Sequence, residues 1–204
     1  MRISPLAAAL CLAVSGLALA ETATEQLAVA PATAQHFTIM SKAGKHGTSD
    51  RWTSPDGARM GRESLVLRGQ VFEVDSSAHV GSDGMLDHVV IRGHTPNGDA
   101  AESFDIKDGV ASWKSPVDAS SSPYRGTAEY NSFGGTNDLG ADFFEALLAA
   151  SDKSLAMLPG GRAHAEVLAT LTVGDGDAKK KVIAYVVTGI SNTPVTVWAD
   201  ESGK

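Results

Sequence analysis

Phe104-Asp105-Ile106-Lys107-Asp108-Gly109-Val110-Ala111-Ser112-Trp113 decides the fold class of this chain. Two short runs of strand-forming residues flank an Asp-Gly pair, the signal of a tight hairpin whose central residues need positive φ. Working outward, Asp56-Gly57, Asp83-Gly84, Asn97-Gly98 and Asp175-Gly176 repeat that punctuation. Such spacing predicts a succession of antiparallel hairpins.

The runs between the turns alternate as half-buried strands do. Leu65, Leu67, Gly69 and Val71 share one side of a strand, and Leu86, His88, Val90 and Arg92 oppose Asp87, Val89 and Ile91. Residues 167–173, 182–187 and 195–198 give three more strands rich in β-branched residues. The sequence thus predicts one long antiparallel sheet. One segment departs from the pattern: Phe143, Phe144, Leu147 and Leu148, then Leu155 and Leu158, recur at helical spacing. They predict a helix over about 140–158, capped by Asn137 or Asp138 and stopped by Pro159-Gly160-Gly161. Its apolar face needs a large partner, so the expected fold is mainly β (α+β), a curved antiparallel sheet or half-barrel wrapped on that one helix. The Ser-, Pro- and Gly-rich stretch 115–135 reads as a long loop or rim.

Residues 1–20 carry the three parts of a cleavable export signal: Met1-Arg2, an apolar run from Leu6 to Val14, and the small-residue site Ala18-Leu19-Ala20. Cleavage after Ala20 predicts a periplasmic or secreted product with no remaining membrane attachment. It also removes Cys11, the only cysteine, and with it any internal disulfide or thiolate metal site. Small polar residues over 21–35 read as a flexible leader, leaving 36–204 as a single β domain. The chain carries 17 Lys and Arg against 24 Asp and Glu, and losing Arg2 makes the remainder more acidic. That balance argues against nucleic acid as a partner. At the other end, Trp198-Ala199-Asp200-Glu201-Ser202-Gly203-Lys204 runs from a strand into a turn, and the reading is of a domain truncated at its C-terminal end.

No self-sufficient catalytic set emerges. His36, His46, His79, His88, His94 and His164 show neither the separation of two that pairs ligands on a strand nor the three or four that pairs them on a helix. Glu63, Glu73, Asp75 and Glu102 read as the solvated face of strands rather than an acid–base pair. There is no Gly-x-Ser-x-Gly elbow and no phosphate loop, because Gly134-Gly135 and Gly160-Gly161 lack the lysine and spacing. Lys179-Lys180-Lys181 reads as the decoration of a hairpin tip. Trp113, Phe143, Phe144 and Leu147 are the candidate lining of a groove between sheet and helix.

The run from Gly160-Gly161-Arg162-Ala163 through Leu168-Ala169-Thr170-Leu171-Thr172-Val173-Gly174, Lys181 to Ile190 and Thr193 to Asp200 resembles the N-terminal β-rich region of large exported bacterial amidohydrolases. Gly93-His94-Thr95-Pro96-Asn97-Gly98-Asp99 and Ala111-Ser112-Trp113-Lys114-Ser115-Pro116 extend the likeness over about 36–204. The resemblance implies a parent hydrolase acting on amide or cyclic amide C–N bonds. Its divalent metals and His-x-His strand belong to a catalytic barrel of about 250 residues that has no counterpart here. It therefore implies a noncatalytic accessory domain with no cofactor of its own, whose partner is the barrel of the same polypeptide. The alternative from the fold alone is a periplasmic half-barrel that binds apolar or lipid-like ligands, similar to lipoprotein carriers.

Overall fold

The structure, a computed structural model, describes residues 26–204. The export signal over 1–20 lies outside them. The chain is mostly β, but it builds two sheets where one was expected.

The first is an antiparallel meander. Its strands are β1 (Gln35–Ser41), β2 (Gly44–Thr53), β3 (Arg59–Leu67), β4 (Gln70–Val80), β5 (Leu86–Thr95), the two-residue β6 (Gly98–Asp99), β7 (Glu102–Lys107), β8 (Val110–Lys114) and β9 (Ala119–Pro123). They neighbour in sequence order, with β6 paired only to β5. The Phe104–Trp113 hairpin is β7–β8: Lys107 pairs with Val110, and Asp108 and Gly109 take φ of 52° and 73°. The other four turn dipeptides also fall at junctions between paired strands, Asp175-Gly176 in a longer connection with one 3-10 turn. The strand read from Leu65 to Val71 is instead a further hairpin. Leu67 pairs with Gln70 around Arg68-Gly69, both at positive φ. Arg68 in the left-handed region lacks the Asn or Asp that usually announces such a turn, so the alternation ran through it unseen.

The second sheet comprises β10 (Ala128–Tyr130), β11 (Ser154–Leu158), β12 (Arg162–Val173), β13 (Lys180–Thr188) and β14 (Val195–Asp200), in that order. The stretch 115–135 is thus not all loop: β9 closes the first sheet and β10 opens the second. The β10–β11 pair is parallel and the rest are antiparallel. A parallel neighbour requires a crossover, and helix α1 (Asn137–Ala149) supplies it.

That helix is shorter than the periodicity suggests. Ala150 is already extended, Lys153 has φ of 49°, and Asp152 Oδ1 accepts the Ser154 N–H at 3.1 Å. This turn resets the side-chain period from helical to alternating, and Leu155 and Met157 become inward residues of β11. The cap is Thr136, whose Oγ1 accepts the Leu139 N–H, and not Asn137 or Asp138. Glu63 reaches from β3 to accept the Asn137 N–H at 2.6 Å. Asp138 and Asp142, one turn apart, accept from Arg51 and Arg59 and latch α1 to β2 and β3.

Two cores meet at the helix. Leu139 packs with Val89, Ile91, Phe104 and Tyr130 against the first sheet. Phe143, Leu147 and Leu148 pack with Leu155, Met157, Tyr185 and Val187 against the second. Two sheets therefore share one helix. The described part of the leader is packed as well: Leu27 is buried, and the Ala28 N–H donates to Asp75 Oδ2 at 2.6 Å. A buried carboxylate in need of donors, which composition does not reveal, holds that segment on the sheet. At the last turn the Asp200 N–H donates to the Lys204 carbonyl, and Asp200 Oδ1 accepts from Ser202 and Lys204.

Candidate ligand groove

The segment joining β10 to α1 sits where the two sheets approach, and its shape is set by one carboxylate. Glu102, buried on β7, accepts the Tyr130 hydroxyl at 2.6 Å, the Phe133 N–H at 2.9 Å and the Gly134 N–H at 3.1 Å. Tyr130 also stacks on Phe104, ring centres 4.3 Å apart. Burial first, then the Glu102 carboxylate, drives the Tyr130 hydroxyl far above its ordinary pKa, so it serves as a fixed donor. A Cβ at Gly135 in the next bend would stand 2.7 Å from Leu139 Cδ2 and 2.9 Å from Ser132 Oγ, so both side chains would have to shift to admit one.

Residues 130–133 form a wall with a cavity on either side. One lobe, of about 400 Å³, lies toward α1 and β14 and is lined by Phe143, Phe144, Leu148, Ile190, Val197 and Trp198. The other, of about 360 Å³, lies toward β8 and is lined by Trp113, Asp118 and Pro159. Ile190 and the wall residues belong to both. The sequence-predicted residues therefore divide: Phe143 and Phe144 line the first lobe, Trp113 the second, and Leu147 is fully buried in the core beneath. The Trp113 indole N–H donates to Asp118 Oδ2 at 2.9 Å, which ties down the 115–118 turn. Phe133, 58% exposed on the rim, escaped sequence reading because nothing periodic surrounds it.

The other chemistry-bearing groups disperse. Glu63, Asp75 and Glu102 are buried rather than on a solvated face, yet each has separate partners. Glu63 takes Asn137 and Ser49; burial raises its pKa against the pull of those hydrogen bonds. Asp75 takes Arg92 through both oxygens, and Glu73 takes Arg62 and Ser64. Strand parity could not reveal this, because the leader, α1 and the 131–135 segment cover positions that a lone sheet would leave wet. His36 pairs with Asp50, His88 with Asp105 and His46 with the Ser41 hydroxyl, each at 2.6 Å. The Ser41–His46 pair sits at the exposed β1–β2 tip, outside the groove. Among the described residues no group of three or more His, Cys, Asp or Glu side chains is arranged to hold a metal ion. Nor is any described helix long and apolar enough to cross a membrane.

Compared with protein-family models, with curated proteins and with solved structures, the chain gives no match.

Proposed function

We propose that this chain is a noncatalytic, exported packing module, the N-terminal accessory domain of a metal-dependent amidohydrolase. The observation that carries the packing role is the outer face of β12–β14. Tyr185 and Val187 turn toward α1, so Val182 and Ala184 alternate to the opposite face. There Leu171 pairs with Val182, and Trp198 lies across from Ala184, which is itself buried. Leu171 is 50% and Trp198 52% exposed, and β14 is a sheet edge. An apolar face beside an open edge suits burial against a larger body. The amidohydrolase barrel as that body, and export through residues 1–20, rest on the strand-and-turn resemblance and the signal-like N-terminus. Intact mass and N-terminal sequencing of the natural exported polypeptide test both. The expected product begins at Glu21 and exceeds residues 21–204 by at least a barrel of about 250 residues. A mass equal to residues 21–204 sinks the reading.

A second reading is favoured by the groove itself. The five-stranded sheet, taken as a half-barrel curled on α1, would hold an apolar or lipid-like ligand against Phe143, Phe144, Ile190 and Val197. It predicts that an apolar dye quenches or shifts tryptophan emission saturably, and that Phe144→Asp weakens this at least tenfold. An unaltered titration in the variant counts against it.

A further inference from the structure

Sequence spacing places no two of the six histidines as paired ligands on one element, but register across strands brings two of them together. His79 on β4 lies directly opposite His88 on β5, with ring centres 5.9 Å apart and planes tilted by 57°. The next step along β4 is a bulge, where Val80 pairs with Leu86 and Asp87 is left over. Bulges re-aim neighbouring side chains, and this one adjoins the pair.

The row continues onto a third strand. Asp105 of β7 is the register partner of His88, and its Oδ1 lies 2.6 Å from His88 Nδ1. A carboxylate only accepts, so in the neutral ring Nδ1 carries the proton and Nε2 keeps its lone pair. A carboxylate behind an imidazole in this way is the usual support of a metal-binding histidine, fixing its tautomer and raising its basicity. Two adjacent imidazoles, one of them backed by the Asp105 carboxylate, make a locally favourable place for a dication. Two rings that share one ion at about 2.0–2.1 Å per nitrogen have centres roughly 5–6 Å apart, the separation found here.

We propose that His79 and His88, backed by Asp105, form a chelate on the open face of the nine-stranded sheet for one borderline divalent transition-metal ion, Zn²⁺, Ni²⁺ or Cu²⁺. With two protein ligands the remaining positions are filled by water, so the ion exchanges readily and is open to a further donor from outside. The carboxylate-rich alternatives, Mg²⁺ and Ca²⁺, are disfavoured because both ligands are imidazoles. The site is separate from the groove and does not depend on the packing role.

Calorimetric titration of the purified chain with ZnCl2, repeated with NiCl2, tests it. One equivalent is expected to bind, with shifts confined to the His79 and His88 ring signals in NMR. His79→Ala and His88→Ala are each expected to weaken binding at least tenfold, and Asp105→Asn about tenfold while leaving both rings in place. His36→Ala is the internal control, because the register partner of His36 is the Asp50 carboxylate rather than a second histidine, and it should bind as the parent does. No binding at millimolar ion, binding that survives either histidine variant, or equal loss in His36→Ala overturns the site. Unchanged affinity in Asp105→Asn overturns the backing role of that carboxylate.

Discussion

Raising the pH from 5 to 9 is expected to remove several kcal/mol of folding stability, and Glu129→Gln to remove most of that loss. Glu129 sits on β10 and is 1% exposed. Both carboxyl oxygens face the Leu86 N–H, at 3.2 and 3.3 Å. Burial is the main reason its pKa is pushed up to about 8; Asp142 and Asp83 add to the rise, while the Leu86 N–H and, more weakly, Arg59 oppose it. In the unfolded chain the same group releases its proton near 4.5. Below that value both states keep the proton and the contribution is complete. Between 4.5 and about 8 the unfolded chain has given up a proton that the folded one retains, so every upward step favours unfolding. The loss across the window is on the order of 5 kcal/mol. Urea midpoints at pH 5, 7 and 9 measure it. The comparison with Glu129→Gln separates it from the background of Glu63 and Asp142, whose pKa values burial also raises. Parallel profiles for parent and variant would refute the assignment.

The second large effect is expected at Glu102. Replacing it with Ala strands the Tyr130 hydroxyl and the Phe133 and Gly134 N–H groups, all of which now end on its carboxylate. The Tyr130 hydroxyl is buried and the two N–H groups are part-buried, so with up to about 1–3 kcal/mol for each stranded donor and partial relaxation the total is roughly 2–4 kcal/mol. Glu102→Gln keeps one acceptor oxygen and should lose about half as much. The damage has a location: residues 131–135 should gain fast amide exchange while β3–β5 stay protected. A cost in Glu102→Ala below about 1 kcal/mol would show that the carboxylate does not hold this wall of the groove. Four buried acids act alike, each accepting a backbone N–H from another segment: Glu63 from the start of α1, Asp75 from Ala28, Glu102 from the 133–134 bend and Glu129 from the start of β5. They join elements that sheet pairing does not.

Legibility followed the range of the interaction. The Asp-Gly and Asn-Gly turns and the Phe104–Trp113 hairpin are local, set by which residues tolerate positive φ, and they stand where spacing placed them. The start of the helix was legible to within a few residues. Its end was not, because Leu155 and Leu158 satisfy a helical period by coincidence, and only the Ala150–Lys153 turn converts them to strand residues. Of the groove, Phe143, Phe144 and Trp113 were readable as aromatic positions. That they occupy two lobes on opposite sides of residues 130–133, with Leu147 in the core below, depends on where β10 crosses to the second sheet.

The amino-acid sequence by itself determined the mainly antiparallel character, the hairpin positions and the apolar face of one helix, because each depends on φ/ψ preference and periodicity within about ten residues. Tertiary structure alone decided that there are two sheets rather than one and that the acidic strand residues are buried anchors. It also decided that His79 meets His88. Those outcomes depend on register between distant strands and on which surfaces are covered, and neither is encoded in any single window of the chain.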